Sequence, residues 1–403
     1  MVGSRAVVVL IAVLAATIVL GAVPSAAQLA CSQQITPPPP VDLSEVPARG
    51  TLAPLPMPVP GRPVGGPRMG ECGLVLPDDA PAPPEGINAM SWLVADADSG
   101  EVLAAKDPHA RHRPASTIKL LTALLAVDQL PPDRVVVATQ ADVDQEGSRV
   151  GLGPGGHYTV RQLLTGLLLA SGNDAAHALS GQLGGAAATV EQMNELAARL
   201  GARDTRAATP SGLDGPGMSS SAYDLALAFR EVLSRPLLAE LLGTRQVNFP
   251  GFGGRPGFVV SNDNKLLNSY PGALGGKTGF TDDARHTLVD AAQRGGRRLM
   301  VVLLRGEQRP VSMSEQAARL LDYGFALTRG RSVGRLVDEG ELPETVVSEI
   351  PGAIPPPADF QAAAQNPTGG SHEADALLPI ALWTGLAVVV LAILGALVAR
   401  QRR

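Results

Sequence analysis

Cysteine, aromatic side chains and charge are all scarce in this chain. Its 403 residues include two cysteines, 3% aromatics and 18% charged residues, and carry a formal net charge of -5. Two cysteines leave room for one internal disulfide and no more. The lack of a basic excess removes the surface that would grip a phosphate backbone, so nucleic acid is excluded as the main partner. No repeat at a fixed period runs through the chain, which excludes solenoids and propellers. Metal-ligating patterns are lacking too. His109 and His112 stand three apart in "DPHARHRP", yet no cysteine or carboxylate pattern accompanies them. That stretch reads as a polar loop, His177 reads as a satisfied core residue on an apolar helix, and no metal or cofactor is expected.

Glycine, proline and long apolar runs are abundant, and they organise the rest. Arg5 precedes an apolar run from Ala6 to Val23, followed by Pro24 and the small residues Ser25, Ala26 and Ala27. This pattern predicts a secretory signal peptide over 1–27, with an uncleaved anchor as the alternative. A second apolar run, Leu377–Ala399, is long enough to cross a bilayer and is followed by Arg400, Arg402 and Arg403. The positive-inside rule then places 400–403 in the cytoplasm and 28–376 outside the membrane. Cys31 and Cys72 both fall in that exported part, where an oxidising compartment favours their pairing.

Residues 37–84 hold 15 of the 35 prolines. Proline supplies no ladder donor and breaks helices, so 28–85 reads as an extended extracytoplasmic spacer. Residues 331–376 read as a second linker. Between them, 86–330 alternates strand-like and helix-like patterns. "SWLVADADSGEVLAAK" is a hairpin around Asp-Ser-Gly, several apolar or amphipathic helices follow, and "GALGGKTGFTDDARHTLVDAAQRGGRRLMVVLLRG" gives two or three antiparallel strands before a closing helix. Hairpin, helices, hairpin and helix make an α+β pattern with a helical insertion.

The chemistry gathers in three short stretches. Ser116 and Lys119 stand three apart behind Pro114 at a helix entrance, so they share one face. A buried ammonium is costly, and the cost becomes useful once it lowers the amine's proton affinity enough for it to take the hydroxyl's proton. Alone, Ser-x-x-Lys arises about once or twice by chance in a chain of this length. Ser171-Gly172-Asn173 sits between two apolar helices, where a hydroxyl and an amide can point into a cleft; an ordinary turn with Asn173 as N-cap is the other reading. Lys277-Thr278-Gly279 follows "GALGG", a strand so rich in glycine that something must approach it closely. An edge-strand lysine that wards off aggregation would look the same.

In this order the three stretches match the triple found in β-lactamases and penicillin-binding proteins, with Gly172 departing from the usual middle residue. The chain further resembles the D-Ala-D-Ala carboxypeptidases through "PASTIKLLTALLAVD", "GPGGHYTVRQLLTGLLLASGNDAAHALS", "PSGLDGPGMSSSAYDLA" and "GGKTGFTDDARHTLV". That resemblance implies a roughly five-stranded antiparallel sheet flanked by helices, with an inserted helical lobe. It implies that Ser116 is acylated with Lys119 as base, and that Ser171 and Asn173 relay a proton and hold the peptide amide. Lys277, Thr278 and Gly279 would bind the terminal carboxylate and the peptide, and the N–H groups of Ser116 and Phe280 would form the oxyanion hole. The family's additional late arginine would be Arg305 or Arg309. The implied partners are the peptidoglycan stem peptide and β-lactams as covalent inhibitors; the membrane, as a partner of the C-terminal helix, follows from the apolar run itself, a span where several family members carry an amphipathic surface helix. A β-lactamase would also need a glutamate for deacylation; Glu191 and Asn194 are too close together and read as the polar face of a helix. A non-catalytic penicillin-binding sensor is the third reading.

Overall fold

The computed structural model describes residues 31–341. The signal peptide expected at 1–27 and the span expected at 377–399 lie outside them. Among the described residues no helix is long and apolar enough to cross a membrane.

In chain order the strands are β1 (Leu74–Val75), β2 (Ser91–Asp96), β3 (Glu101–Lys106), β4 (Val135–Val137), β5 (His157–Thr159), β6 (Gln246–Phe249), β7 (Phe258–Ser261), β8 (Ala273–Thr281), β9 (Arg285–Arg294), β10 (Arg297–Gly306) and β11 (Gly334–Arg335). The helices are α1 (Lys119–Gln129), α2 (Gln140–Val143), α3 (Val160–Leu169), α4 (Asn173–Gln182), α5 (Ala186–Arg199), α6 (Ala222–Ser234), α7 (Pro236–Gly243), α8 (Leu266–Ser269) and α9 (Met313–Ala326). The main sheet is antiparallel throughout, in the order β1-β3-β2-β10-β9-β8, with β11 also on β3. Its five long strands are the sheet that the resemblance implied. The extra two, β1 and β11, come from segments that the sequence reads as linkers.

Local chemistry sets these boundaries. Gly295 and Gly296 take φ of 57° and 72° between β9 and β10, the left-handed pair that a tight hairpin needs. Thr159 opens α3 with a reciprocal capping box to Gln162, and Ser221 and Ser312 cap α6 and α9 by accepting from Asp224 N and Glu315 N. One hydrophobic cluster, with Leu120, Leu124, Leu167 and Phe229, fills the sheet face under α1, α3 and α6. A second, with Trp92, Leu303, Leu320 and Leu321, lies under α9 on the opposite face. The segment α1–α8, together with the small hairpins β4-β5 and β6-β7, is inserted between β3 and β8.

The proline-rich segment is not a free spacer. Val64 and Met69 are buried in the first cluster, and β1 pairs with β3. A chain poor in N–H groups keeps its carbonyls, and Arg111 supplies the donors: its guanidinium reaches Ile35 O at 2.8 Å, Met57 O at 2.6 Å and Pro58 O at 2.9 Å. Arg113 donates to Glu45 and to Pro38 O, and Asp283 accepts from Val41 N. Cys31 and Cys72 are joined in a disulfide. The second linker is likewise packed at its start, where Leu336 and Val337 are buried.

The "DPHARHRP" stretch is also buried, contrary to the polar-loop reading. His109 Nδ1 lies 2.7 Å from Asp204 Oδ2 and its Nε2 lies 3.0 Å from Val64 O, so the ring ties the proline-rich segment through Nε2 and the Asp204 carboxylate through Nδ1. Burial and neighbouring cations push His112 down to about 4. His177 is half-buried rather than a core residue, and its Nδ1 meets Asp142. A disulfide that closes a loop of this length contributes roughly 4 kcal/mol by chain entropy. Replacing Cys31 and Cys72 together by serine is expected to lower the urea midpoint accordingly.

Candidate active site

Ser116 lies in a single 3-10 turn, Ala115–Ile118, that leads into α1, rather than in the α-helix itself. The three-residue spacing still puts Lys119 beneath it, because residues three apart align in a 3-10 turn as well. The turn is held by its surroundings. Ala115 adopts φ of 47°, a strained value for a residue with a Cβ. Pro114 O accepts from Thr117 Oγ1 at 2.6 Å and from Thr287 Oγ1 on β9 at 2.8 Å.

Lys119 is fully buried. Its Nζ lies 2.8 Å from Ser116 Oγ, donates to Asn173 Oδ1 at 2.7 Å and donates to Ser211 O. Burial pushes the ammonium well below its ordinary value; the Lys277 charge adds to this and Asp174 opposes it. A neutral amine 2.8 Å from a serine hydroxyl can take its proton.

Ser171 stands at φ of 56° between α3 and α4 and lines the same cleft as Ser116. Asn173 begins α4, but Gly172 is the N-cap and the Asn173 side chain makes no cap. Instead its Oδ1 takes Lys119 and its Nδ2 donates to Glu146 O. Its Oδ1 and one Nδ2–H are thus engaged within the protein, and the residue also lines the cleft. Asp174, next in the chain, fixes the facing loop by accepting from the N–H groups of Val150, Gly151 and Leu152 at 2.9–3.0 Å.

Lys277, Thr278 and Gly279 lie on β8. Thr278, Gly279 and Phe280 line the cleft, whereas Lys277 is buried beneath it with its Nζ 2.8 Å from Thr278 O. Burial lowers Lys277 to about 8, against the pull of Asp263. The close approach that the glycines implied is made by the protein itself. A Cβ on Gly279 would meet Ser116 N at 2.8 Å, and Gly275, at φ of 107°, sits against Leu242 O. Phe280 is 47% exposed, which suits a position where only the backbone would act.

The cleft encloses about 690 Å³. Neither Arg305 nor Arg309 lines it: Arg305 Nη1 donates to Asp283 O at 2.6 Å, and Arg309 is exposed. Glu191 is on the exposed side of α5, and Asn194 binds both backbone groups of Ala207, so no deacylating glutamate comes from that pair. Sequence reasoning assigned no role to the Ser211 carbonyl, although "PSGLDG" was one of the matching stretches. Gly212, at φ of 84°, lets that loop close on Ala115 O.

Three convergent stretches around one hydroxyl have counterparts elsewhere. The family model for D-alanyl-D-alanine carboxypeptidases, peptidase S11, matches residues 78–308. The chain is 50% identical over 252 residues to D-alanyl-D-alanine carboxypeptidase DacB2 of Mycobacterium tuberculosis, covering 62% of this chain and 86% of that protein. It is 32% identical to DacF of Bacillus subtilis over 59% of this chain and 62% of that one. The crystal structure of a D-alanyl-D-alanine carboxypeptidase from M. tuberculosis superposes with a TM-score of 0.63 at 48% identity, over 65% of this chain and 100% of that one. The Streptomyces K15 DD-transpeptidase gives 0.58 at 30% identity, over 61% and 100%. With more than half its length inside the family model, this chain belongs to the D-alanyl-D-alanine carboxypeptidase family of serine peptidases.

Proposed function

We propose that the protein removes the terminal D-alanine from peptidoglycan stem pentapeptides through an acyl-enzyme on Ser116. Neutral Lys119 takes the Ser116 proton as Oγ attacks the penultimate D-alanine carbonyl. The N–H groups of Ser116 and Phe280 hold the developing oxyanion, donors of a kind worth about 3–4 kcal/mol each in a transition state. Collapse breaks the peptide bond, Ser171 passes a proton to the leaving amine, and D-alanine departs. Water then hydrolyses the ester, returning Ser116 and the shortened peptide. Asn173 sets Lys119 in line, Thr278 meets the substrate carboxylate, and Lys277 supplies positive potential from below. A β-lactam follows the same first step, but its leaving nitrogen stays tethered, so the adduct persists.

The observation that carries this reading is the 2.8 Å contact between Ser116 Oγ and a fully buried Lys119 Nζ. The test is incubation of the full-length protein with a D-Ala-D-Ala pentapeptide and, separately, with a penicillin. The expected result is catalytic release of D-alanine and a stable mass adduct on Ser116. Rapid penicillin turnover without D-alanine release would indicate a β-lactamase, and labelling without any turnover a sensor.

We further propose that the site works outside the membrane, exported by 1–27 and tethered by Leu377–Ala399. The apolar run with its terminal arginines and the joined cysteines of an oxidising compartment support this placement.

A pH dependence follows from the two lysines. Acylation needs Lys119 neutral and Lys277 charged, so kcat/KM rises as Lys119 loses its proton and falls as Lys277 loses its own. The falling limb is expected near pH 8, where burial has set Lys277. In Lys277→Arg it should move beyond the accessible range, which a pH–rate profile would show.

A further inference from the structure

No arginine lines the cleft among the described residues, although the resemblance anticipated one. The wall beside Thr278 and Phe280 is built instead by His286 and Gln308. On the paired strands β8 and β9, Thr278 faces Leu288 and Phe280 faces His286. Alternation then puts Thr278, Phe280 and His286 on one face of the sheet. The Phe280 ring rests against the imidazole with centroids 4.5 Å apart, which fixes the ring plane.

Gln308 sets the protonation of that imidazole. Its Oε1 accepts from Met313 N, at the start of α9, at 3.2 Å. The amide NH2 is therefore left to face His286 Nδ1, at 3.3 Å. An amide NH2 only donates, so Nδ1 must accept, and the ring proton sits on Nε2.

We infer that His286, held in this tautomer by Gln308, donates its Nε2–H to the terminal carboxylate of the substrate beside the Thr278 hydroxyl, in the place where the family uses a guanidinium. The inference rests on the carboxypeptidase reading above. The charged groups around His286 do not replace it. Arg285, its neighbour on β9, is paired with Glu307 at 2.8 Å, and Asp263 and Lys265 line the cleft with opposite signs. β8 and the start of α9 present Phe280, Met313 and Ser314 to the cleft, none of them charged. A second proton would set Nδ1–H against the Gln308 NH2. Burial acts in the same direction and, with Arg285 and against the pull of Glu307, holds the imidazole below its ordinary value. His286 is thus a neutral donor, and its grip on the carboxylate does not change with pH near neutrality.

The test compares kcat/KM for a peptide ending in D-Ala-D-Ala with that for the same peptide as its C-terminal amide. The ratio cancels the titration of Lys119, which both substrates share. A hydrogen bond to a charged group accounts for roughly a tenfold ratio. His286→Leu is expected to lower the acid-to-amide ratio by about that factor, and Gln308→Ala by about threefold. His286→Arg should keep it at or above the wild-type value. In the wild type the ratio should stay level from the ordinary imidazole value of about 6.5 up to about pH 7.5. A His286→Leu ratio equal to the wild type, with turnover retained, would overturn the assignment and leave the carboxypeptidase reading standing. Failure of the wild type to release D-alanine would overturn that reading instead. Nitrogen-15 NMR of the folded wild type provides a check that needs no variant: an Nδ1-protonated or doubly protonated His286 at pH 7 would refute the neutral-donor geometry.

Discussion

Replacing Ser116 by alanine is expected to abolish D-alanine release and β-lactam capture, and replacing Lys119 by methionine to lower kcat/KM by about ten-thousand-fold. The two losses should not add, because the hydroxyl and the amine act as one unit. Without Lys119 the hydroxyl has no base at 2.8 Å, and without Ser116 the base has nothing to deprotonate. A double variant should therefore be no worse than Ser116→Ala. Acylation rates with a chromogenic β-lactam measure this step directly. A Lys119→Met protein that acylates within tenfold of the wild type would remove the amine from the mechanism.

The same lysine leaves a mark on stability. In the unfolded chain Lys119 keeps its proton up to its ordinary value, whereas burial in the fold removes it well below that. Between those two points the unfolded state binds more protons, so stability rises with pH across the window. Lys277, lowered to about 8, adds a slope of the same sign from there upward. Lys119→Met deletes the first contribution and keeps the second. Urea midpoints taken across neutral and alkaline pH should therefore climb less steeply in the variant.

What could be read from the chain follows the range of the forces involved. Ser116 and Lys119 were legible as a pair because a three-residue offset survives whether the turn is 3-10 or α. The β2-β3 and β9-β10 hairpins were legible because Gly100, Gly295 and Gly296 state their turns locally. Long-range partners were not legible. Nothing around Ser211 announces that its carbonyl will meet Lys119, 92 residues away. The proline-rich segment misled for a physical reason: proline forbids ladders and helices, but it does not forbid packing. Its unpaired carbonyls are met by Arg111 and Arg113, whose guanidinium groups are buried just before the nucleophile turn. The late arginine failed for a similar reason. Arg305 sits at the irregularity between Leu303 and Gly306 in β10, at φ of 51°, and is turned toward Asp283.

Gly279→Ala is the second large expected loss, and it tests how closely strand and nucleophile must meet. The added methyl would lie 2.8 Å from Ser116 N and 3.1 Å from Ala115 Cβ, and would also press on Thr287 Oγ1. None of these can yield cheaply. The first two belong to a turn already strained at Ala115, and the Thr287 hydroxyl is tied to Pro114 O at 2.8 Å. The strand must therefore retreat, drawing the Phe280 N–H away from the Ser116 N–H with which it would share the oxyanion. Losing one such donor costs about 10²–10³ in rate. The loss should fall on kcat and on β-lactam acylation alike, with the melting temperature reduced by only a few degrees. Gly181→Ala is the matching control: it lies on α4 with nothing within 4 Å of the new methyl, so it should leave acylation unchanged and stabilise the helix slightly. If Gly279→Ala acylates as fast as Gly181→Ala, the gap between β8 and the serine turn is not what sets the rate, and the oxyanion must be held elsewhere.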